Sequence, residues 1–380
     1  MIITDIKLIP ASKYLFVKVE SDEGIYGIGE MGAWGYLDAC AGALQKLKTY
    51  LIGKDPSRIE HHFNYMYRSM YFRGSVILSA ISAVDIALWD LLGKKLNVPI
   101  YQLLGGKTRD KVRTYAPVFE SEPEKMASGC LELKEQGFNA ARLMMCGSIN
   151  TDTVSRDDGV FARKVTDYIE RVKVCREAVG DNFDLCLEVH RSMSPGEAIA
   201  FARGVEKYTP LFIEDPIAPD SVEALADVAG RIDIPVATGE RAVSIQEMES
   251  FCSQRAAKYL RPDVCVVGGI TAAKKIAAIA EAHYVGIAPH NPLGPVSTAA
   301  CLQLDACIPN FLIQEFPSFY HAGGEAEMMK EPFKTEEGYL IIPDGPGLGI
   351  ELIDDLENVF KPKQRSISAM IAHDGSVYDR

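Results

Sequence analysis

The order of apolar and polar positions changes twice along the chain. From Ile2 to Glu30 apolar residues alternate with polar ones in short runs, and Ser21-Asp22-Glu23-Gly24 sits between two of them with the chemistry of a turn. Alternation puts every second side chain on one face, so this stretch predicts a small antiparallel meander. Residues 38–104 instead carry helical spacing, as in Ile77, Ile81, Val84, Leu88 and Leu91 with Asp85 and Asp90 between them, which predicts helices packed on that sheet. Strands followed by helices predict an α+β domain over residues 1–112, with Gly105-Gly106 and the charged stretch 107–111 as a linker.

From about residue 113 the rhythm becomes short β-rich apolar runs separated by amphipathic stretches about ten to fifteen residues long. The runs are 140–144, 185–189, 211–213, 234–237, 258–261, 285–288 and 311–313. Repeated βα units imply a parallel sheet, either a closed eight-stranded barrel or an open doubly wound one. An open nucleotide-binding sheet is helped by a phosphate loop, and none is convincing. Leu104-Gly105-Gly106-Lys107-Thr108 has Tyr101 where a Walker A motif needs glycine, and Gly24, Gly27 and Gly29 stand in the wrong order for a dinucleotide fingerprint. A barrel over residues 113–340 is the preferred reading. Beyond it, 341–380 opens with the loop-rich Ile342-Pro343-Asp344-Gly345-Pro346-Gly347-Leu348-Gly349, a tail expected to leave the barrel and pack elsewhere.

Composition narrows the partners. The net charge of -12 gives no electrostatic reason to expect nucleic acid, although a small anion can still find a local positive site. The start of the chain lacks the basic residues and unbroken apolar stretch of a secretory signal, and no window holds the ~18 uninterrupted apolar residues of a spanning helix. Nine cysteines without a Cys-x-x-Cys pair fit reduced thiols, hence a cytoplasmic protein that binds no membrane.

The chemistry lies at the ends of the apolar runs. Glu188, Glu214 and Glu240 each close one, spaced by about one βα unit, so they would meet at the C-terminal mouth of a barrel. Three converging carboxylates repel one another unless a cation balances them, and all-oxygen ligation points to Mg²⁺. A single acid at such a position is ordinarily a surface group; three in register are not. The series continues with Asp263, His290 and Glu315. Asp263 is placed to orient His290 as a base. His190, two residues beyond Glu188, is expected by strand alternation to face the same side. Two histidines across a metal suit a reaction in which one removes a carbon-bound proton and the other protonates a departing hydroxyl. His61-His62 reads as exposed structure, and Cys146, without an obvious base partner, as inert.

These residues carry a resemblance to the enolase superfamily, mandelate racemase subgroup, and within it to acid-sugar dehydratases. It runs through Ile86-Ala87-Leu88-Trp89-Asp90, Leu103-Leu104-Gly105-Gly106, Phe212-Ile213-Glu214-Asp215-Pro216, Thr238-Gly239-Glu240-Arg241, Arg261-Pro262-Asp263, Gly268-Gly269-Ile270-Thr271, Ala288-Pro289-His290-Asn291-Pro292-Leu293-Gly294-Pro295 and Gln314-Glu315 to the glycine-rich tail. The resemblance implies an α/β fold, a modified TIM barrel of (β/α)₇β type under an N-terminal α+β capping domain to which the tail returns. It also implies that Glu188, Glu214 and Glu240 hold Mg²⁺, that His290 with Asp263 is the base, that His190 is the acid, and that Glu315 hydrogen-bonds the substrate carboxylate. The resemblance also implies a homo-oligomer.

Two departures matter. The first metal position is usually Asp, and Glu188 adds a methylene. Where racemases and cycloisomerases carry a Lys-x-Lys base, this chain reads Arg142-Leu143-Met144, which leaves His290 as the proton abstractor and Arg142 as a substrate-binding group. Trp34, Tyr36 and Arg73 are further candidates for substrate contact from the cap. The expected reaction is dehydration of an aldonate such as galactonate or gluconate to a 2-keto-3-deoxy acid. Epimerisation or cycloisomerisation of an acid sugar, and a non-catalytic binding role, are the alternatives.

Overall fold

The computed structural model describes residues 1–69, 71–146, 160–317, 324, 326–363, 365, 369–371 and 374–379. The meander is present as β1 (Ile3–Ala11), β2 (Tyr14–Ser21) and β3 (Tyr26–Glu30), paired antiparallel in that order. Four helices come next: α1 (Leu37–Leu51), α2 (Ile59–Arg68), α3 (Ser75–Leu96) and the short α4 (Ile100–Leu103). α1 buries one stripe, Cys40, Leu44, Leu47 and Leu51, the spacing of an amphipathic helix on a sheet. α3 is buried on nearly every side. Its length and composition would let it cross a membrane, but 78% of its apolar window is covered by the rest of the chain. β3 comes so near to α3 that a Cβ on Gly27 would meet the Ala87 carbonyl oxygen at 1.9 Å, and one on Gly29 the Ala83 carbonyl oxygen at 1.8 Å. Only glycine permits that approach.

Among the described residues, eight strands then alternate with seven helices. They are β4 (Lys111–Val118), α5 (Pro123–Glu135), β5 (Ala140–Met144), α6 (Phe161–Val179), β6 (Asp184–Glu188), α7 (Pro195–Val205), β7 (Phe212–Glu214) and α8 (Val222–Ala229). The series continues with β8 (Val236–Thr238), α9 (Ile245–Ser253), β9 (Tyr259–Leu260), α10 (Gly269–Ala282), β10 (Gly286–Ile287), α11 (Pro295–Asp305) and β11 (Gln314–Glu315). Each strand from β4 to β9 pairs parallel with its successor. β11 pairs parallel with β4, and Phe311, just before it, bridges to Ile287. The sheet is therefore closed into a (β/α)₇β barrel.

Period-two alternation decides what the barrel contains. Tyr115, Ala140, Cys186, Phe212, Ala237, Ala288 and Ile313 form one small interior cluster, while the intervening Ala141, Leu143, Leu185, Leu187 and Ile213 join the main core. Arg142, Glu188, Glu214 and Glu315 lie two residues beyond members of the interior set and so point inward, towards the mouth.

Two expectations about this region need correction. Lys111 opens β4 rather than ending a linker; this strand mixes Lys, Arg and Thr with its apolar residues, which hid it among the apolar runs. The run 311–313 only leads into the last strand, whose ladder is made by Gln314 and Glu315.

The cap is seated on the mouth by buried polar contacts. Glu30 accepts the backbone N–H groups of Gly294 and Ser297 at 2.6 and 2.9 Å, supplying from another element the acceptor that the start of α11 lacks. Ser82 accepts from Gly268 N at 2.8 Å, Asp85 accepts from Thr271 N at 3.0 Å, and Trp89 donates to Thr271 at 2.9 Å. After the barrel a hairpin of β12 (Thr335–Glu336) and β13 (Tyr339–Ile341) pairs antiparallel with the start of β4. The tail then runs along the cap. Gly347 bonds Val98 and Ile100, Leu348 N donates to Asp90, and Lys363 N donates to Ser12 O. Residues 364, 366–368, 372–373 and 380 of the predicted returning tail lie outside the described residues.

Candidate active site

Parallel register sets the first two acids side by side, since Glu188 pairs with Glu214 across β6 and β7. The third stands two residues beyond the end of β8, where the chain turns at Gly239 with φ of +131°. A Cβ there would sit 3.1 Å from Met248 Sδ and 3.2 Å from Arg261 N, so the turn that delivers Glu240 depends on glycine. Glu188, Glu214 and Glu240 each offer an oxygen within 4.8 Å of the others.

Cationic side chains penetrate this acidic mouth. Arg142 lies 3.5 Å from Glu188, 3.7 Å from Glu214 and 2.8 Å from Glu315. The fully buried Arg261 contacts Glu214 through Nε and Glu315 through Nη2, the latter at 2.7 Å. Arg191 donates to Glu240 at 2.6 Å and to Asp215 at 2.8 Å. Even so the balance is uneven. Burial, and then Glu214, pushes Glu188 well above the ordinary carboxylate range. Glu240 is buried too, yet Arg191 and the two histidines hold it well below that range. Glu315, also against the trend of burial, is brought down to about 2 by Arg142 and Arg261. Glu214 Oε1 touches Arg261 Nε without hydrogen-bond geometry, and Oε2 accepts no hydrogen bond among the described residues. Buried acceptors left unmet are costly. Three convergent oxygens with that unmet capacity suit a hard cation, which is the donor set such ions take.

On the Glu240 side stands the histidine pair. His290 Nδ1 is 2.9 Å from Asp263 Oδ2, and His290 Nε2 is 3.4 Å from Glu240. Asp263 Oδ1 accepts from Cys265 N at 2.8 Å, which fixes the carboxylate plane. Burial opposes a charge on His290, but Glu240 and Asp263 outweigh it and raise the imidazole to about 9.

His190 reaches the site by a route that strand alternation does not describe. β6 ends at Glu188, and His190 and Arg191 have φ of +52° and +62°. The left-handed turn lets His190 N–H donate to Glu188 Oε1 at 2.6 Å. Strain of about 1–3 kcal/mol per such residue is typical of functional sites. The ring of His190 faces Arg191 Nη2 at 2.8 Å. Burial, and then that guanidinium, lowers its pKa to about 3.

The cap candidates fare differently. Trp34 is half-buried beneath Arg365, whose guanidinium lies 3.6 Å from the ring centre. Tyr36 is exposed, and Arg73 lies over the Tyr67 ring and donates to its hydroxyl at 3.2 Å. No hydrogen bond or ion pair among the described residues joins these three to the acid cluster. His62, expected to be exposed, is buried between Tyr50 and the Asp55 carbonyl. Cys146 is half-buried, and burial raises its thiol to about 12, in keeping with an inert residue.

Sequence reading missed Arg191, Asp215 and Arg261 as parts of the site. Their signal was adjacency, each lying within two residues of a residue that was singled out.

The residues 4–105 match the model of the mandelate racemase / muconate lactonizing enzyme N-terminal domain, and 125–356 match the enolase C-terminal domain-like model. The chain is 37% identical over 349 residues to a D-galactonate dehydratase of Cronobacter sakazakii, covering 90% of both chains. It is 38% identical over 350 residues to one of Ralstonia pickettii, again covering 90% of both. An enolase of Agrobacterium radiobacter, crystallised with sodium and L-malate, superposes with a TM-score of 0.91 at 29% identity over 99% of each chain. An enolase superfamily member of Salmonella Typhimurium superposes with a TM-score of 0.87 at 30% identity over 94% of this chain and 97% of that one. By its fold, its matching domains and these relatives, the chain belongs to the enolase superfamily, in its mandelate racemase subgroup.

Proposed function

We propose that this chain dehydrates an aldonate such as galactonate or gluconate to the 2-keto-3-deoxy acid, with Mg²⁺ held by Glu188, Glu214 and Glu240. One observation carries the reading: the three-carboxylate cluster lies within 3.4 Å of the outer nitrogen of a histidine that a buried aspartate orients. Relatives named D-galactonate dehydratase support the substrate class. When bound, Mg²⁺ would stabilise the negative charge that builds on the substrate carboxylate as its α-proton leaves.

The chain's own groups divide the remaining work. With Mg²⁺ on the three carboxylates offsetting the pull of Glu240 on a charged ring, His290 would start neutral, and its Nε2 takes the C2 proton while Asp263 holds Nδ1 and favours the resulting imidazolium. Arg142, Arg261 and Glu315 form a buried network whose cationic side receives the substrate carboxylate. A proton delivered to the C3 hydroxyl from His190 breaks the C3–O bond and releases water, and the enol product then tautomerises to the ketone. Atoms balance as one acid sugar giving one keto acid and one water.

The neutral state of His190 favours a second reading of the proton donor. With its ring facing Arg191 and its pKa near 3, His190 needs a proton from elsewhere, whereas His290 already holds one after abstraction and can return it to the hydroxyl. Incubation of galactonate and gluconate with enzyme and Mg²⁺, followed by semicarbazide detection of a keto-deoxy acid, tests dehydration. Absence of product across an aldonate and aldarate panel refutes it.

A further inference from the structure

The rim of the mouth carries a carboxylate that the proposed chemistry does not use. Asp379 accepts hydrogen bonds from both ends of the Arg241 guanidinium, at 2.6 and 2.7 Å, the planar two-point match that arginine makes with carboxylates. The same Asp379 Oδ2 lies 3.9 Å from Arg191 Nε. Arg191 and Arg241 immediately follow His190 and Glu240 in the chain. Arg191 in turn bonds Glu240, so a single guanidinium separates Asp379 from the acid cluster. In the same tail Arg365 covers Trp34 of the cap, and β14 (Met370–Ile371) pairs antiparallel with β15 (Val377–Tyr378). The tail thus touches the cap at Arg365 and the rim of the acid cluster at Asp379. Arg241 and Asp379 are each about one-third exposed or more.

We propose that Asp379 is a specificity-determining residue: it occupies, from within the chain, the place at Arg191 and Arg241 that a second substrate carboxylate would take. This rests on the acid-sugar reading above. An aldonate bound by its carboxylate at the acid cluster ends in an uncharged hydroxymethyl group, which can lie beside the neutralised arginines. An aldarate ends in a second carboxylate. That group meets the Asp379 carboxylate in place of the guanidinium fork, and like charges at such range repel. The site therefore accepts sugar acids charged at one end and refuses those charged at both.

The test compares galactonate with galactarate on the full-length, Mg²⁺-loaded enzyme. In Asp379→Asn the ratio of kcat/KM for galactarate to that for galactonate rises by about tenfold or more, a change equal to one unit of the logarithmic affinity scale. Asp379→Glu, which retains the charge, keeps the wild-type ratio. An unchanged ratio in Asp379→Asn, with both substrates weakened alike, overturns the proposal and leaves Asp379 a structural contact. A binding measurement separates this from the dehydration reading. In a His290→Asn background, calorimetric titration with each acid gives the same shift in the ratio of Kd values on adding Asp379→Asn. If the wild-type enzyme dehydrates no sugar acid, the proposed reaction fails while the Kd ratio still decides the role of Asp379. An unshifted Kd ratio, or binding of neither acid, refutes that role.

Discussion

Replacing Asp263 by asparagine keeps the shape of the side chain and removes its charge, and the surrounding hydrogen bonds dictate the outcome. Oδ1 of Asp263 accepts the Cys265 N–H at 2.8 Å, while Oδ2 faces His290 Nδ1 at 2.9 Å. In the Asp263→Asn variant the amide carbonyl oxygen is the only acceptor on the side chain, and the backbone N–H of Cys265 claims it. The amide NH₂ is then turned towards His290 Nδ1. That nitrogen must accept, so the ring proton moves to Nε2, the atom proposed to act as the base. General base catalysis is worth about 10²–10⁴-fold, and kcat is expected to fall by that amount with KM within about threefold. Folding should survive, because burial already pushes the Asp263 carboxyl above its usual range, so its charge is a burden in the native state that the amide relieves. Steady-state dehydration of galactonate, exchange of the C2 proton with solvent deuterium, and thermal unfolding measured together check this. A variant that unfolds at the wild-type temperature and keeps kcat within about tenfold would show that His290 does not depend on Asp263 for its tautomer, and the assignment of the base would go with it.

The remaining predictions come from the same geometry. Glu214→Gln should weaken Mg²⁺ binding by about tenfold or more in calorimetry, since the loss of one anionic ligand also leaves Arg261 underpaired; activity that persists in excess EDTA would contradict the metal reading. If His190 supplies the leaving-group proton, His190→Ala should lose about 10²-fold or more on galactonate but little on a 3-deoxy-3-fluoro analogue, whose fluoride departs unprotonated; equal losses on both would favour His290 as the donor. Glu315 sits at about 2 in the folded chain against an ordinary 4.5, so its stabilising contribution is complete above the ordinary value and is lost as pH falls towards the folded one. At about 1.4 kcal/mol per unit this is about 3 kcal/mol. Glu315→Gln should flatten the acid limb of stability measured by denaturant unfolding between about pH 4.5 and 2, and an unchanged limb would refute the assignment.

The part of this protein that was legible in its sequence is the part governed by short, repeating rules. The βα interval puts Glu188, Glu214 and Glu240 at the ends of successive strands and Glu315 at the last; β6, β7 and β11 end on Glu188, Glu214 and Glu315, and Glu240 stands two residues beyond β8. His290 and Asp263 were readable for the same reason, because each lies three residues beyond the end of its strand and the two strands, β9 and β10, pair side by side. What escaped was set by backbone turns and by contacts between distant segments. His190 departs from alternation because the chain turns left-handed at His190 and Arg191, a conformation available to non-glycine residues only at a cost that no local pattern announces. That same turn brings Arg191 onto Glu240 and Asp215, so an arginine that reads as an ordinary loop cation becomes a buried counter-charge. Arg261 was quoted for its place in Arg-Pro-Asp, yet its burial against Glu214, Glu315 and Tyr115 depends on four strands far apart in the chain. The repeat interval of the sequence tells where strands end, and by that rule the acids were found. The cations that make the acids tolerable in a buried mouth are selected by three-dimensional charge balance, and a linear pattern does not encode that balance.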